Sequence, residues 1–246
     1  MTSETSRAKT GVPVLDAMLR GGLPRRRAVL VTGGPGTGKS TLAMQFLQTG
    51  LDAGEDCFYV STEQTIDELR DSFEGFAFDL DNGALSFASI HATPGRPVGS
   101  EDRQLTLSTL DGDEVTPFGD GFDAPFTAKY VHEYLDRYGP FDRVAFDSVS
   151  GLAAVAETDD HFRRSVLDLI RQFTDDAGAT SLFTAEAHES SSLTDTLRFT
   201  THGVIELGRR RIADDPHLVV EVSKMRGVDH DRRRAELQFT DRGLRA

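Results

Sequence analysis

The chain has 246 residues, enough for one large α/β domain with a full core, and its 40 acidic against 27 basic residues give a net charge of −13. No apolar run approaches membrane-spanning length, and the charge argues against tight nonspecific DNA binding, because phosphate contacts need a basic face. A single cysteine excludes an internal disulfide, and with scattered histidines it leaves no structural zinc set.

The polar start, Met1 to Lys9, has no apolar signal-peptide core, so a cytoplasmic location is expected. Residues 1–9 read as a polar tail on a single domain spanning 1–246. Residues 10–27 read as a turn, a short helix and a Gly-Gly-x-Pro exit into a first strand. That strand, Ala28 to Thr32, is short, apolar and β-branched.

Directly after it comes Gly33-Gly34-Pro35-Gly36-Thr37-Gly38-Lys39-Ser40, then Thr41. This fits G-x-x-x-x-G-K-[ST], the phosphate-cradling P-loop. Glycines let successive backbone N–H groups turn inward around an anion, and the helix start adds unpaired donors. The nucleotide contacts expected are Gly34, Pro35, Gly36, Thr37, Gly38, Lys39, Ser40 and Thr41. Lys39 would reach the β- and γ-phosphates, and the Ser40 hydroxyl would ligate Mg²⁺. Leu42, Phe46 and Leu47 carry a helix to about Leu51, which Ala53-Gly54 ends.

A second strand, 57–61, is expected beside the P-loop strand, with Cys57 as a small buried core residue. Ser61-Thr62-Glu63-Gln64 follows. A carboxylate there can polarise water against a γ-phosphate; the same residues equally fit a helix N-cap at Thr62 or Thr65. The helix that follows runs through Ile66, Leu69 and Phe73, and Leu85 to Ile90 fits a third strand. Residues 92–126 hold much of the Pro, Gly and Asp and show little periodicity. They read as an acidic surface insertion loop: a lid, a partner site or a disordered segment. A helix is expected over 127–138.

Arg143-Val144-Ala145-Phe146-Asp147 is an apolar strand ending in Asp, the Walker B pattern, with Asp147 holding Mg²⁺ at the strand ends. Residues 160–176 have the spacing of an amphipathic helix, and Thr180 to Thr184 is another strand. The tail, 203–240, is β-rich. Alternating strands and helices predict an α/β fold with a mostly parallel sheet, extended antiparallel by the last strands. Lys224 and Arg226 lie two apart at a strand end and so share a face. They fit an arginine-finger pair or a solvated strand end. The triplets at 25–27, 209–211 and 232–234 read as strand-end charges or subunit contacts, not a nucleic-acid track. Only four basic residues are lysine, and an Asp-rich, Lys-poor surface is expected of a protein adapted to a salt-rich cytoplasm.

Taken together, the Thr10-Gly11…Leu15-Asp16…Gly21-Gly22 turn, the P-loop, the Glu63 turn, Asp147-Ser148, and Lys224-Met225-Arg226-Gly227 with His230 resemble the KaiC-type ATPases of the RecA superfamily. The resemblance covers Thr10 to Gly243 outside the 92–126 insertion. It implies a RecA-like P-loop NTPase core, ATP and Mg²⁺ as ligands, hexameric rings with ATP between subunits, and slow hydrolysis. By the same resemblance Glu63 is the catalytic glutamate, and Lys224, Arg226 and His230 reach the neighbouring subunit's ATP. Ser191 and Ser192 resemble a phosphoacceptor pair and equally fit a Ser-rich loop. Gln64 departs from the pattern, standing where the family often has a second glutamate. His202 departs too, where many relatives have Asp. The function expected is an ATP-binding, slowly hydrolysing regulatory ATPase with an unidentified protein partner. An ATP-gated binding module without turnover, a recombination accessory protein acting on DNA and, more remotely, a small-molecule kinase are the alternatives.

Overall fold

Ala28 to Gly33 is buried at every position, as a strand covered on both faces must be. Around it the chain builds a large sheet between two layers of helices. The structure, a computed structural model, describes residues 7–92, 104–108, 122–123, 139–153, 158–187, 192–212 and 215–246. In chain order these form β1 (Arg7–Ala8), α1 (Pro13–Met18), β2 (Leu23–Pro24), β3 (Ala28–Gly33), α2 (Lys39–Leu51), β4 (Cys57–Ser61), α3 (Ile66–Phe73) and β5 (Leu85–Ala92). Then come β6 (Gln104–Ser108), β7 (Phe122–Asp123), β8 (Arg143–Asp147), α4 (Val149–Ala153), α5 (Asp159–Arg171) and a π turn (Gln172–Asp176). The chain closes with β9 (Thr180–Glu186), α6 (Ser192–Thr200), β10 (Gly203–Ile212), β11 (Asp215–Met225), β12 (Ala235–Thr240) and β13 (Gly243–Arg245).

The sheet order is β13-β12-β11-β10-β3-β9-β8-β4-β5-β6-β7. The six central strands, β10 to β5, run parallel, and both ends are antiparallel. The expected parallel sheet with antiparallel C-terminal strands is therefore what forms. Alternation sorts the two cores. Val29 and Val31 of β3 pack with α2 residues such as Leu42 and Phe46 on one face. Ala28 and Leu30 pack with α5 residues such as Val166 and Leu169 on the other.

Several expectations are corrected. β4 does not neighbour the P-loop strand: β9 and β8 stand between them. Parallel neighbours need a crossover, and the chain takes it to β8 and β9 instead. The polar-tail reading of 1–9 fails at Arg7–Ala8, which pairs with Leu23–Pro24 and buries Ala8. The 92–126 insertion carries strand: β6 and β7 extend the sheet past β5, while its other residues and the 127–138 helix lie outside the described residues. The helix expected over 160–176 is α5 followed by a π turn. Cys57 is buried as expected, and desolvation pushes its thiol up to about 12.

The arginine triplets are held largely within the chain. Arg25 pairs with Glu55, Arg233 with Asp231 and Arg234 with Glu221, while Arg209–Arg211 belong to β10 itself. Arg143 is the largest buried side chain. It pairs with Glu55, donates to the Lys9 and Phe46 carbonyls (2.6 and 2.8 Å), and lies over the Phe46 ring. Burial alone would raise the Glu55 pKa, but hydrogen bonds from Arg25 and Arg143 hold it below the usual range.

His202 also has a structural role. Its N–H donates to the Ala28 carbonyl at 2.8 Å, and its Nδ1 accepts the Ala28 N–H at 3.2 Å. The residue thereby closes the start of the β3–β10 pairing. Burial, then Arg27 and Arg226, lower its pKa, against a smaller opposing effect of Asp175. A folded pKa below the unfolded one means the unfolded chain takes up the proton first. Stability is then full above about pH 6.5 and falls as pH drops from there towards the lowered value. His202→Asn keeps an acceptor for the Ala28 amide but cannot titrate. Its melting temperature should fall less than the wild type's between about pH 7.5 and about pH 5.5. Equal falls in the two proteins would refute this role.

Candidate functional site

The loop between β3 and α2 is shaped by its glycines. Gly36 (φ 68°) and Gly38 (φ 89°) adopt the left-handed conformation that a side chain disfavours, and Gly38 opens α2 as its N-cap. Thr37 Oγ1 closes the loop by donating to the Gly34 carbonyl at 2.8 Å. Lys39 Nζ curls over the loop and donates to the Gly33 and Gly34 carbonyls, each at 3.1 Å. Gly34, Pro35, Ser40 and Thr41 complete this strand–loop–helix unit, with Thr41 buried behind it. The arrangement is a cradle of N–H donors with one mobile cation at its rim.

The two acidic candidates meet at the neighbouring strand ends. β4 and β8 pair in parallel with Ser61 opposite Asp147. Glu63 accepts a hydrogen bond from the Ser148 hydroxyl. Thr62 locks this joint: its N–H donates to the Asp147 carbonyl (2.9 Å), and its hydroxyl donates to the Ser148 carbonyl (2.6 Å). Both readings of the Glu63 turn are realised at once, because Thr65 forms a capping box with Glu68 at the start of α3. Gln64 faces elsewhere: its amide donates to Ser72 of α3 at 3.0 Å, at the surface.

Asp147 is buried. Thr184 of β9 donates to its Oδ1 and Tyr59 of β4 donates to its Oδ2. Ser40 in turn hydrogen-bonds to Tyr59. Burial, then the Asp147 charge, keeps the Tyr59 phenol protonated well beyond its ordinary range. Tyr59 and Thr184 were missed in the sequence. Only the period-two alternation of β4 and β9 could have flagged them, since it turns both towards the α2 face. Among the described residues no group of three or more His, Cys, Asp or Glu could hold a metal ion. Ser40 and Asp147, bridged by one phenol, offer a hydroxyl and a carboxylate. That donor set fits Mg²⁺, which is held by one or two protein oxygens together with phosphates and water.

Lys224 and Arg226 do share a face, as expected, but they stand far from this P-loop. Met225 pairs with Gly203, and Gly203 with Val29, four residues before Gly33 along β3. That is about 13 Å at strand rise, plus two strand spacings. Lys224 Nζ donates to the Arg198 and Thr201 carbonyls (2.5 and 2.6 Å), and Arg226 to the Phe199 carbonyl (3.0 Å). They cap the C-terminal end of α6. Burial, then Arg226, lowers the Lys224 pKa. His230 Nδ1 lies 3.3 Å from the Val228 carbonyl, and its buried Nε2 has no hydrogen-bond partner. Ser191 lies outside the described residues. Ser192 opens α6, so the expected Ser-rich loop is helical from that point. A further cation meets the P-loop within the chain: Arg209 of β10 donates to the Gly36 carbonyl at 2.9 Å.

Among the described residues no helix is long and apolar enough to cross a membrane. Residues 8–246 match the family described as ATPase: KaiC. The chain is 30% identical to a UPF0273 protein of Thermotoga maritima, over 97% of this chain and 94% of that one. It is also 30% identical to UPF0273 protein PH0284 of Pyrococcus horikoshii, over 98% and 93%. Among solved structures, the KaiC-like protein PH0186 of the same archaeon superposes with a TM-score of 0.76 at 24% identity, over 98% of both chains. This last likeness is one of fold.

Proposed function

The chain belongs to the KaiC family of ATPases, and on that premise we propose that it binds Mg·ATP and hydrolyses it slowly at sites shared between copies of itself, as a nucleotide-gated regulatory oligomer. The observation that carries this reading is the joint of Glu63, Ser148 and Asp147, which places a carboxylate beside a buried aspartate at the ends of adjacent strands.

In this reading the backbone N–H groups from Gly34 to Thr41 wrap the phosphates. Lys39 exchanges its Gly33 and Gly34 carbonyl partners for phosphate oxygens. Ser40 and Asp147 hold Mg²⁺, which when bound draws negative charge off the phosphates. Glu63 orients the attacking water and accepts its proton. Lys224 and Arg226 cannot serve their own P-loop, and they complete the site of a neighbouring copy. His230 supports them from the same segment.

Light scattering with and without Mg·ATP, with phosphate release followed in the same samples, tests the reading. A larger species with Mg·ATP and slow phosphate release is the expected result. A monomer that binds ATP and releases no phosphate would leave only a nucleotide-sensing binding module.

A further inference from the structure

Tyr59 is fully buried at the centre of the site, and no step above uses it. Its ring is wedged between Phe87 (centroids 5.5 Å apart) and Phe73 (6.3 Å, edge-on), so its hydroxyl has one place to go. That hydroxyl donates to Asp147 Oδ2. An ionised carboxylate only accepts, so the phenol proton is committed there. The hydrogen bond between Ser40 and Tyr59 must then be donated by Ser40. Thr184 donates to the other Asp147 oxygen, which fixes the carboxylate's rotation from its second side.

We propose that Tyr59 is a positioning residue for the metal: by accepting the Ser40 proton and donating its own to Asp147, it turns a Ser40 lone pair outward and sets both Mg²⁺ donors in one orientation. A hydroxyl that ligates a cation must send its proton away from the cation, and the phenol oxygen is the acceptor that lets it. Without the phenol, Ser40 can rotate and donate into the site. This inference rests on the assignment of Ser40 and Asp147 to Mg²⁺.

The test is the MgCl₂ dependence of binding of a fluorescent N-methylanthraniloyl ATP, in wild type, Tyr59→Phe, Ser40→Ala and the double variant. Tyr59→Phe should need about tenfold more MgCl₂ for half-maximal change, as expected for losing a hydrogen bond to a charged group. Its affinity in EDTA should stay within about twofold of wild type. The double variant should match Ser40→Ala, because Tyr59 acts through Ser40. An unmoved MgCl₂ midpoint, equal losses with and without metal, or additive effects would each overturn the proposal. A wild type with no MgCl₂ dependence would instead overturn the Mg·ATP reading itself. Should Tyr59→Phe not fold, the wild-type tyrosine absorbance band decides. Adding MgCl₂ to the ATP complex should shift it, and the shift should survive replacement of Tyr130, Tyr134 and Tyr138 by Phe. No shift overturns the role of the phenol.

Discussion

Glu63→Gln is expected to lower phosphate release by at least about a hundredfold while ATP affinity stays within about twofold. Glutamine is isosteric, and its amide oxygen can still accept the Ser148 hydroxyl that Glu63 accepts. The turn keeps its other ties, from Thr62 to the Asp147 and Ser148 carbonyls. What is lost is the negative charge that orients water and takes its proton. The P-loop contacts, which set ground-state affinity, are untouched, so the loss belongs in turnover. Gln64→Ala is the natural control. Its amide faces Ser72 at the surface, and turnover should hardly change. Unchanged turnover in Glu63→Gln would remove the glutamate from the mechanism. A parallel loss of ATP affinity would assign it to binding.

Arg226→Ala is expected to lower turnover about a thousandfold, the scale of losing an arginine finger, and the loss should be repaired in trans. Within one chain Arg226 is level with the start of β3, where its N–H donates to the His202 carbonyl and the His202 N–H to the Ala28 carbonyl. The P-loop begins at the far end of that strand. A subunit lacking Arg226 still has an intact P-loop, and one carrying Lys39→Ala still has an intact Arg226. Mixing the two dead proteins should restore a fraction of wild-type phosphate release. A mixture that stays dead would show that each site is self-contained. Lys224 keeps its bonds to the Arg198 and Thr201 carbonyls in Arg226→Ala, so α6 should stay docked. Circular-dichroism melting of the variant checks this.

The phosphate loop was legible because everything that shapes it is local. Eight consecutive residues supply the strand exit, the two positive-φ glycines and the helix start, and no distant partner is needed to read them. The two cores were legible for the same reason, since period two in β3 and helical spacing in α2 and α5 are properties of neighbouring residues. The Lys224–Arg226 pair was readable as sharing a face, also a local fact. The expectation that β4 adjoins the P-loop strand failed because adjacency in sequence does not decide adjacency in a parallel sheet.

By itself, then, the sequence determined the P-loop, the alternation of strands and helices, and the residue types at the strand ends. Only the tertiary structure decided that Glu63 meets Ser148, that Tyr59 and Thr184 grip the two oxygens of Asp147, and that Lys224 and Arg226 face α6 at the far end of the sheet. The physical reason is range. Backbone turns and side-chain periodicity are set within a few residues. A contact such as Glu63 to Ser148 depends on which strands pair and in what register, and that is settled by burial of the whole sheet between its two layers of helices.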